Sequence, residues 1–122
     1  MAAHPLLSIR PATADDVPLI RALIAELAEY ERMADAAVAT DEGLREQLFG
    51  AQPGAEVLIG EVDGEPAGFA LFFHNFSTFL GKRGLYLEDL FVRPVFRGAG
   101  LGKHLMAALA RIAVQRHCGR FE

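Results

Sequence analysis

The spacing of apolar residues changes along the chain, and each change marks a predicted element. Leu6 to Arg10 predicts a short first strand that ends at Pro11. Apolar positions at helical spacing then predict a helix from about Ala14 to Arg32. After a loop over residues 33–38, Thr40 is a suitable cap for a second, shorter helix.

The middle of the chain predicts strands. The runs Ala55 to Val62 and Pro66 to Phe73 form a predicted hairpin, because Asp63-Gly64 between them is a favourable turn pair. His74 to Gly84 is polar, aromatic and contains glycine, which predicts a loop beside a cleft. Leu85 to Val92 predicts another strand. An amphipathic helix then follows, from position 100 to about position 117, which gives the order β-α-α-β-β-β-α.

The composition is that of a globular protein with a single core. The chain has 122 residues, of which 52% are hydrophobic and 23% charged. No apolar run approaches the roughly 20 residues that span a bilayer, and the start of the chain lacks the layout of a secretory signal. We therefore expect a cytoplasmic protein that does not act on membranes. The single cysteine, Cys118, excludes an internal disulfide and a cysteine-based zinc site, and no histidine pair has metal-ligand spacing with a third ligand.

The formal net charge is −4, which disfavours nucleic acid as a partner because phosphate backbones are bound by clustered Lys and Arg. Acidic residues crowd one region: Glu26, Glu29, Glu31, Asp35, Asp41 and Glu42. Basic residues crowd another: Arg93, Arg97, Lys103, Arg111, Arg116 and Arg120. This asymmetry suits an anionic ligand at one end of a cleft and a cationic group at the other. The phenylalanines at positions 72, 73, 76 and 79 are expected to pack in the core and cleft.

The most informative motif is Arg-Gly-Ala-Gly-Leu-Gly-Lys at residues 97–103, between the last strand and the last helix. Three glycines at alternate positions leave main-chain N–H groups unshielded at the positive end of a helix, where they can converge on a phosphate or diphosphate. The alternative is a glycine-rich helix start that binds nothing, although helix starts normally favour Ser, Thr, Asp or Asn.

Two familiar nucleotide loops do not fit this spacing. A Walker A loop needs glycine where Arg97 stands, and Ser or Thr where His104 stands. A dinucleotide-binding fingerprint needs its third glycine one residue later, near the start of a βαβ unit.

Arg-Gly-x-Gly-x-Gly at a strand-to-helix junction resembles the coenzyme A pyrophosphate loop of the GNAT superfamily of N-acetyltransferases. Three further segments resemble its diamine/polyamine (spermidine/spermine) branch: Ile9 to Thr13, Glu26 to Glu31 and Leu85 to Val92. The resemblance implies an α/β GNAT fold, with a mixed, mostly antiparallel sheet flanked by helices, over a single domain at 1–122.

In that family a further strand, a helix and a final hairpin complete the sheet and supply a tyrosine that protonates the leaving thiolate. Residues 118–122 would be only the start of the next strand. The resemblance thus implies that the C-terminal third is missing after the cofactor-binding helix. Either the chain is part of a longer protein or a partner chain completes the sheet.

The resemblance also implies acetyl-CoA as the co-substrate, without a metal. Main-chain N–H groups of the loop would hold the pyrophosphate, with Arg97 adding charge at its edge; the loop residues are Gly98, Ala99, Gly100, Leu101, Gly102 and Lys103. The main chain of Leu90, Phe91 and Val92 would pair with pantetheine.

Four residues are implied at the amine site. Glu88 would contact the substrate and accept the ammonium proton, while Asp89 follows it on the strand, where consecutive side chains point to opposite faces. Tyr30 and Glu31 at the end of the first helix would bind the amine. The alternatives are structural carboxylates at Glu88 and Asp89, and a solvated surface charge at Glu31.

These inferences predict an enzyme that moves acetyl from acetyl-CoA to a primary amine of a small cationic, polyamine-like substrate by direct attack in a ternary complex. One alternative is a GNAT enzyme acting on a thialysine-like amino acid or a protein N-terminus. Another is a non-catalytic coenzyme A-binding or assembly module. The resemblance further implies a homodimer.

Overall fold

The computed structural model describes residues 4–122 as a sheet with helices on both faces. The strands are β1 (Leu7–Pro11), β2 (Glu56–Val62), β3 (Glu65–Ser77) and β4 (Lys82–Val92). They are antiparallel, in the order β1-β2-β3-β4. The α-helices are α1 (Val17–Tyr30), α2 (Asp41–Phe49) and α3 (Leu101–Gln115), with short 3₁₀ turns at Ala14–Asp16, Ala34–Ala36 and Pro94–Phe96. Within residues 4–122, every helix is too short or too polar to cross a bilayer.

Local chemistry explains several of these boundaries. The Thr40 hydroxyl accepts the Gly43 N–H at 3.0 Å and so caps α2. Asp63 and Gly64 both have positive φ angles, 52° and 82°, as the tight hairpin between β2 and β3 requires. The predicted helices, hairpin and strand order are confirmed, and Pro11 is the last residue of β1.

The core lies on both faces of the sheet. On one face the sheet packs against α3, through buried residues that include Phe72, Leu85, Leu105 and Leu109. On the other face it packs against α1 and α2, through residues that include Ile20, Leu23, Ile59, Phe69 and Phe91. The helices are thereby fixed by apolar burial on either side of the strands.

The first residue of α3 sits unusually close to the sheet. A Cβ atom at Gly60 in β2 would lie 2.9 Å from the Leu101 side chain, which is fully buried. Glycine at this position therefore lets the start of α3 approach the strand, and this contact fixes where the glycine motif stands relative to the sheet.

The predicted loop over His74 to Gly84 is wrong. β3 continues to Ser77 and β4 begins at Lys82, so that only residues 78–81 form the turn. The polar side chains belong to the sheet because they find partners there: the Gly84 carbonyl accepts a hydrogen bond from His74 Nδ1 at 2.9 Å.

The aromatic residues of this hairpin divide between core and solvent. Phe72 is buried, and Phe73 packs on Tyr86 with ring centroids 5.1 Å apart. Phe76 and Phe79 are exposed, so the expectation that they pack in the core and cleft is wrong. They lie on the extended tip of the hairpin, beyond the reach of the helices.

A parallel pairing begins beside β4. The N–H groups of Leu85 and Leu87 donate to the carbonyls of Arg120 and Glu122, both at 2.8 Å, and Phe121 forms a parallel bridge to Leu85. The four strands themselves are antiparallel, and this bridge places residues 120–122 along the outer edge of β4 in the parallel direction.

Candidate active site

The glycine motif presents a row of main-chain donors. Gly98 and Gly100 have φ angles of 91° and 92°, in the left-handed region that favours glycine. Among the described residues no protein acceptor takes the N–H groups of residues 98–103, and the first bond back into the helix is from His104 N–H to the Gly100 carbonyl, at 3.1 Å. A Cβ atom at Gly98, Gly100 or Gly102 would meet open space. These glycines therefore serve conformation and access rather than packing.

A β-bulge interrupts β4 at Glu88. Asp89 pairs with Leu71 and Leu87 pairs with Phe72, so that Glu88 lies opposite no residue of β3. The bulge shifts the alternation of side chains: Leu87 packs with the α3 face, whereas Phe91 packs with the α1 face. Beyond the bulge, the odd-numbered positions belong to the face that carries α1.

Past the bulge, the outer edge of β4 is open. The Arg93 N–H donates to the Ala67 carbonyl at 2.7 Å, which makes these two residues a hydrogen-bonded pair. Since such pairs alternate along antiparallel strands, Phe91 directs its main-chain groups at β3, while Leu90 and Val92 direct theirs away from it. The outer edge is thus paired at Leu85 and Leu87 but faces a pocket at Leu90 and Val92.

One pocket of about 630 Å³ joins this edge to the glycine motif and to the end of α1. It is lined by Leu27, Tyr30, Glu31, Leu90, Phe91, Val92, Phe96, Arg97, Gly98, Gly100, Leu101, Gly102 and Lys103. The fold therefore brings Tyr30 and Glu31 to the same pocket as most of the predicted cofactor residues. Ala99, Glu88 and Asp89 do not line it.

The end of α1 is held against this pocket by contacts distant in sequence. Arg93 donates from Nε and Nη2 to the two carboxylate oxygens of Glu26, both at 2.8 Å, and from Nη1 to the Pro66 carbonyl at 3.0 Å. Tyr30 packs on Phe91 with ring centroids 6.2 Å apart. The sequence prediction missed the Arg93–Glu26 pair because 67 positions separate the two residues, and no local pattern joins them.

Three carboxylates interact electrostatically beside the pocket. Burial raises the pKa of the partly buried Asp89 above its usual value, and the negative charges of Glu88 and Glu31 raise it further. Concentrated negative charge of this kind favours a bound cation, because an ammonium group would relieve the repulsion among the carboxylates.

Arg97 bridges the two ends of the pocket. Its guanidinium carbon lies 4.5 Å from the centroid of the Tyr30 ring, and its Nε donates to the Val92 carbonyl at 3.0 Å. The side chain thus contacts both a predicted amine-site residue and one of the two outward-facing residues of β4. Within residues 4–122, no group of three His, Cys, Asp or Glu side chains is placed to hold a metal ion.

Comparison with known proteins identifies the family. A model of the family described as "Acetyltransferase (GNAT) family" matches residues 20–122. The chain belongs to this family. Its members generally use acetyl-CoA, and this protein is accordingly an enzyme that transfers an acetyl group to an amine.

The relatives that resemble the chain include both a thialysine acetyltransferase and a spermidine/spermine acetyltransferase-like protein. The chain is 36% identical over 121 residues to the thialysine N-epsilon-acetyltransferase of Sus scrofa, covering 93% of this chain and 71% of that protein. It is 37% identical over 117 residues to the spermidine/spermine N(1)-acetyltransferase-like protein 1 of Homo sapiens, covering 90% of this chain and 17% of that protein.

A solved structure has the same fold. The ribosomal-protein-alanine N-acetyltransferase from Brucella melitensis is similar with a TM-score of 0.78 and 25% identity, covering 95% of this chain and 78% of that one. The GNAT fold predicted from the sequence is confirmed.

Proposed function

We propose that this acetyltransferase moves acetyl from acetyl-CoA to a primary amine of a small cationic substrate of the diamine or polyamine type. One observation carries the proposal: a single pocket joins the unpaired N–H groups of the glycine motif to the acidic end of α1. A diphosphate at one end and an ammonium group at the other would meet complementary charge.

The main chain would bind the cofactor. The N–H groups of residues 98–103 point from the positive end of α3 and would donate to the pyrophosphate, with Lys103 adding a positive charge. Leu90 and Val92 would pair with pantetheine through their outward main-chain groups, whereas Phe91 would support the cleft with its buried ring. When bound, acetyl-CoA supplies an activated thioester carbonyl.

The carboxylates would bind and deprotonate the amine. Glu31 and Asp89 would attract the ammonium group, and Tyr30 would contribute a ring face and a hydroxyl. Glu88, freed from cross-strand pairing by the bulge, would accept one ammonium proton. The amine nitrogen then attacks the carbonyl carbon, the carbon–nitrogen bond forms, and the carbon–sulfur bond breaks. The second proton passes to the leaving thiolate.

A panel of amines tests this proposal. Release of free thiol from acetyl-CoA is measured with spermidine, putrescine, thialysine and L-ornithine, and the acetylated products are identified by mass. We expect the highest kcat/KM for amines without an α-carboxylate, because the acidic end of the pocket repels a carboxylate. A clear preference for thialysine would assign the chain to the second candidate, which its 36% identity to a thialysine acetyltransferase favours.

Two alternatives give different results in the same experiments. Acetylation of a peptide N-terminus with none of the small amines would point to a protein substrate. Coenzyme A binding by calorimetry, with no thiol release for any amine, would indicate a non-catalytic binding or assembly module. The cytoplasmic location and the homodimer stay predictions, tested by fractionation and by light scattering.

A further inference from the structure

We infer that Arg97 couples the two ends of the pocket, so that a diphosphate on the glycine motif withdraws Arg97 from Tyr30 and thereby opens the amine site. The inference rests on the proposed function and adds to it an order of events. Arg97 would contact the diphosphate directly, and it is a positioning residue only for the amine, because its effect there acts through the Tyr30 ring.

The present contacts of Arg97 obstruct both substrates. Its guanidinium lies over the face of the Tyr30 ring, which is where an ammonium group would gain cation–π attraction. Its Nε also donates a hydrogen bond to the Val92 carbonyl, which is one of the acceptors on the outer edge of β4 that face the pocket. A cofactor that pairs with Val92 and an amine that contacts Tyr30 each require this side chain to move.

The charges around Arg97 favour such a movement. No carboxylate among the described residues lies within ion-pair distance of the guanidinium, so the side chain is held only by aromatic faces and one neutral carbonyl. Arg97 directly precedes Gly98, the first residue of the donor row. A diphosphate there offers a charge-assisted, two-pronged hydrogen bond, which is stronger than the contacts the side chain would give up.

Removal of the guanidinium from Tyr30 changes the amine end in two ways. It uncovers the ring, and it takes a positive charge away from the carboxylate of Glu31, which lines the same pocket. Both changes favour a cationic amine. We therefore expect coenzyme A to tighten amine binding by at least about fivefold, and the amine to tighten coenzyme A binding by the same factor.

The chain allows a direct optical test of the movement. It contains no tryptophan and two tyrosines, Tyr30 and Tyr86, so that Tyr86→Phe leaves Tyr30 as the only strong fluorophore. In this background the emission of Tyr30 is followed while inorganic pyrophosphate, which is transparent in the ultraviolet, is added at constant ionic strength. Calorimetry on the same samples shows when the site is saturated.

The matched variants are Arg97→Gln and Arg97→Lys in the same background. We expect saturating pyrophosphate to shift the emission of the parent protein towards that of ligand-free Arg97→Gln, and to leave Arg97→Gln itself unchanged. Unchanged emission of the parent at saturation would overturn the inference, as would an equal shift in Arg97→Gln. Arg97→Lys keeps the positive charge but lacks the planar guanidinium that lies over the Tyr30 ring. We therefore expect its ligand-free emission to resemble that of Arg97→Gln.

A second measurement separates this inference from the proposed function. Spermidine affinity is measured by calorimetry with and without saturating coenzyme A, in the unaltered protein and in Arg97→Gln. We expect the fivefold coupling to disappear in the variant. If coenzyme A binds and the amine is acetylated, yet affinity for the amine is the same with and without coenzyme A, the coupling is refuted and the proposed function stands. If coenzyme A does not bind at all, both fail.

Discussion

Replacing Gly100 by alanine tests whether the shape of the glycine motif is what binds the cofactor. Gly100 has a φ angle of 92°, and a Cβ atom there would meet nothing within 4 Å, so the substitution adds backbone strain without a clash. An L-residue in the left-handed region costs about 1–2 kcal/mol. We expect the unliganded loop to relax and avoid this cost. Coenzyme A must then return the loop to its strained conformation when it binds, so the Kd for coenzyme A rises about 5- to 30-fold.

Gly81→Ala is the matched control. Gly81 also has a positive φ angle, 66°, and open space around it, but it lies in the turn at the opposite end of β4. We expect Gly81→Ala to lose thermal stability, measured by calorimetric unfolding, without any change in the Kd for coenzyme A, and the Kd to rise only in Gly100→Ala. The same Kd in Gly100→Ala as in the unaltered protein would refute the reasoning.

Asparagine and aspartate at position 100 separate shape from charge. Asn adopts the left-handed region more readily than alanine does, so Gly100→Asn is expected to bind coenzyme A more tightly than Gly100→Ala. Gly100→Asp has nearly the same size but places a negative charge against the pyrophosphate, and it should abolish binding. Equal affinities of the Asn and Asp variants would show that the site is not electrostatic.

The remaining predictions concern carboxylates. Glu88→Gln should leave the Kd for coenzyme A unchanged and lower kcat at least about tenfold, most visibly below the pKa of the amine; equal rates would remove Glu88 from the mechanism. Asp89→Asn should make the protein more stable at pH 7 and not at pH 3, because a raised pKa penalises the ionised form and the penalty grows as pH rises through it. Denaturant titrations at both pH values check this. Asp16 has the opposite effect on how stability depends on pH. Hydrogen bonds from Arg10 lower its pKa from 3.8 to about 2, so the stabilisation that Asp16 contributes is present above about pH 4 and is lost as pH falls towards 2. Asp16→Asn should cost about 1 kcal/mol at pH 7, after allowance for solvent screening of Arg10, and only a small part of that near pH 2.

Local signals in the sequence were sufficient for much of the fold. The Asp63-Gly64 turn, the Thr40 cap and the glycine motif each depend on the conformational preferences of one or two residues, and each lies where it was predicted. The extension of β3 and β4 through residues 74–84 was missed, because polar residues in a hairpin are stabilised by the opposite strand rather than by their neighbours in sequence.

The site was less predictable than the fold. The bulge at Glu88 was not predicted, since Leu85 to Val92 is apolar on both faces except at Glu88 and Asp89, and a shift in alternation is hard to see in such a run. The position of Arg97 over Tyr30 depends on how α1 packs beside β4, through apolar contacts and the Arg93–Glu26 pair. Such features arise from contacts between distant segments, which composition and spacing do not encode.

The contact between Gly60 and Leu101 means that the position of the glycine motif depends on a residue of β2 that does not line the pocket. A methyl group at position 60 would lie 2.9 Å from the buried Leu101 side chain, so that this side chain or the first turn of α3 would have to shift. A shift of the helix would carry the main-chain amides of its first turn with it. A substitution at this position in the sheet would therefore alter the glycine motif from a distance, without changing any residue that lines the pocket.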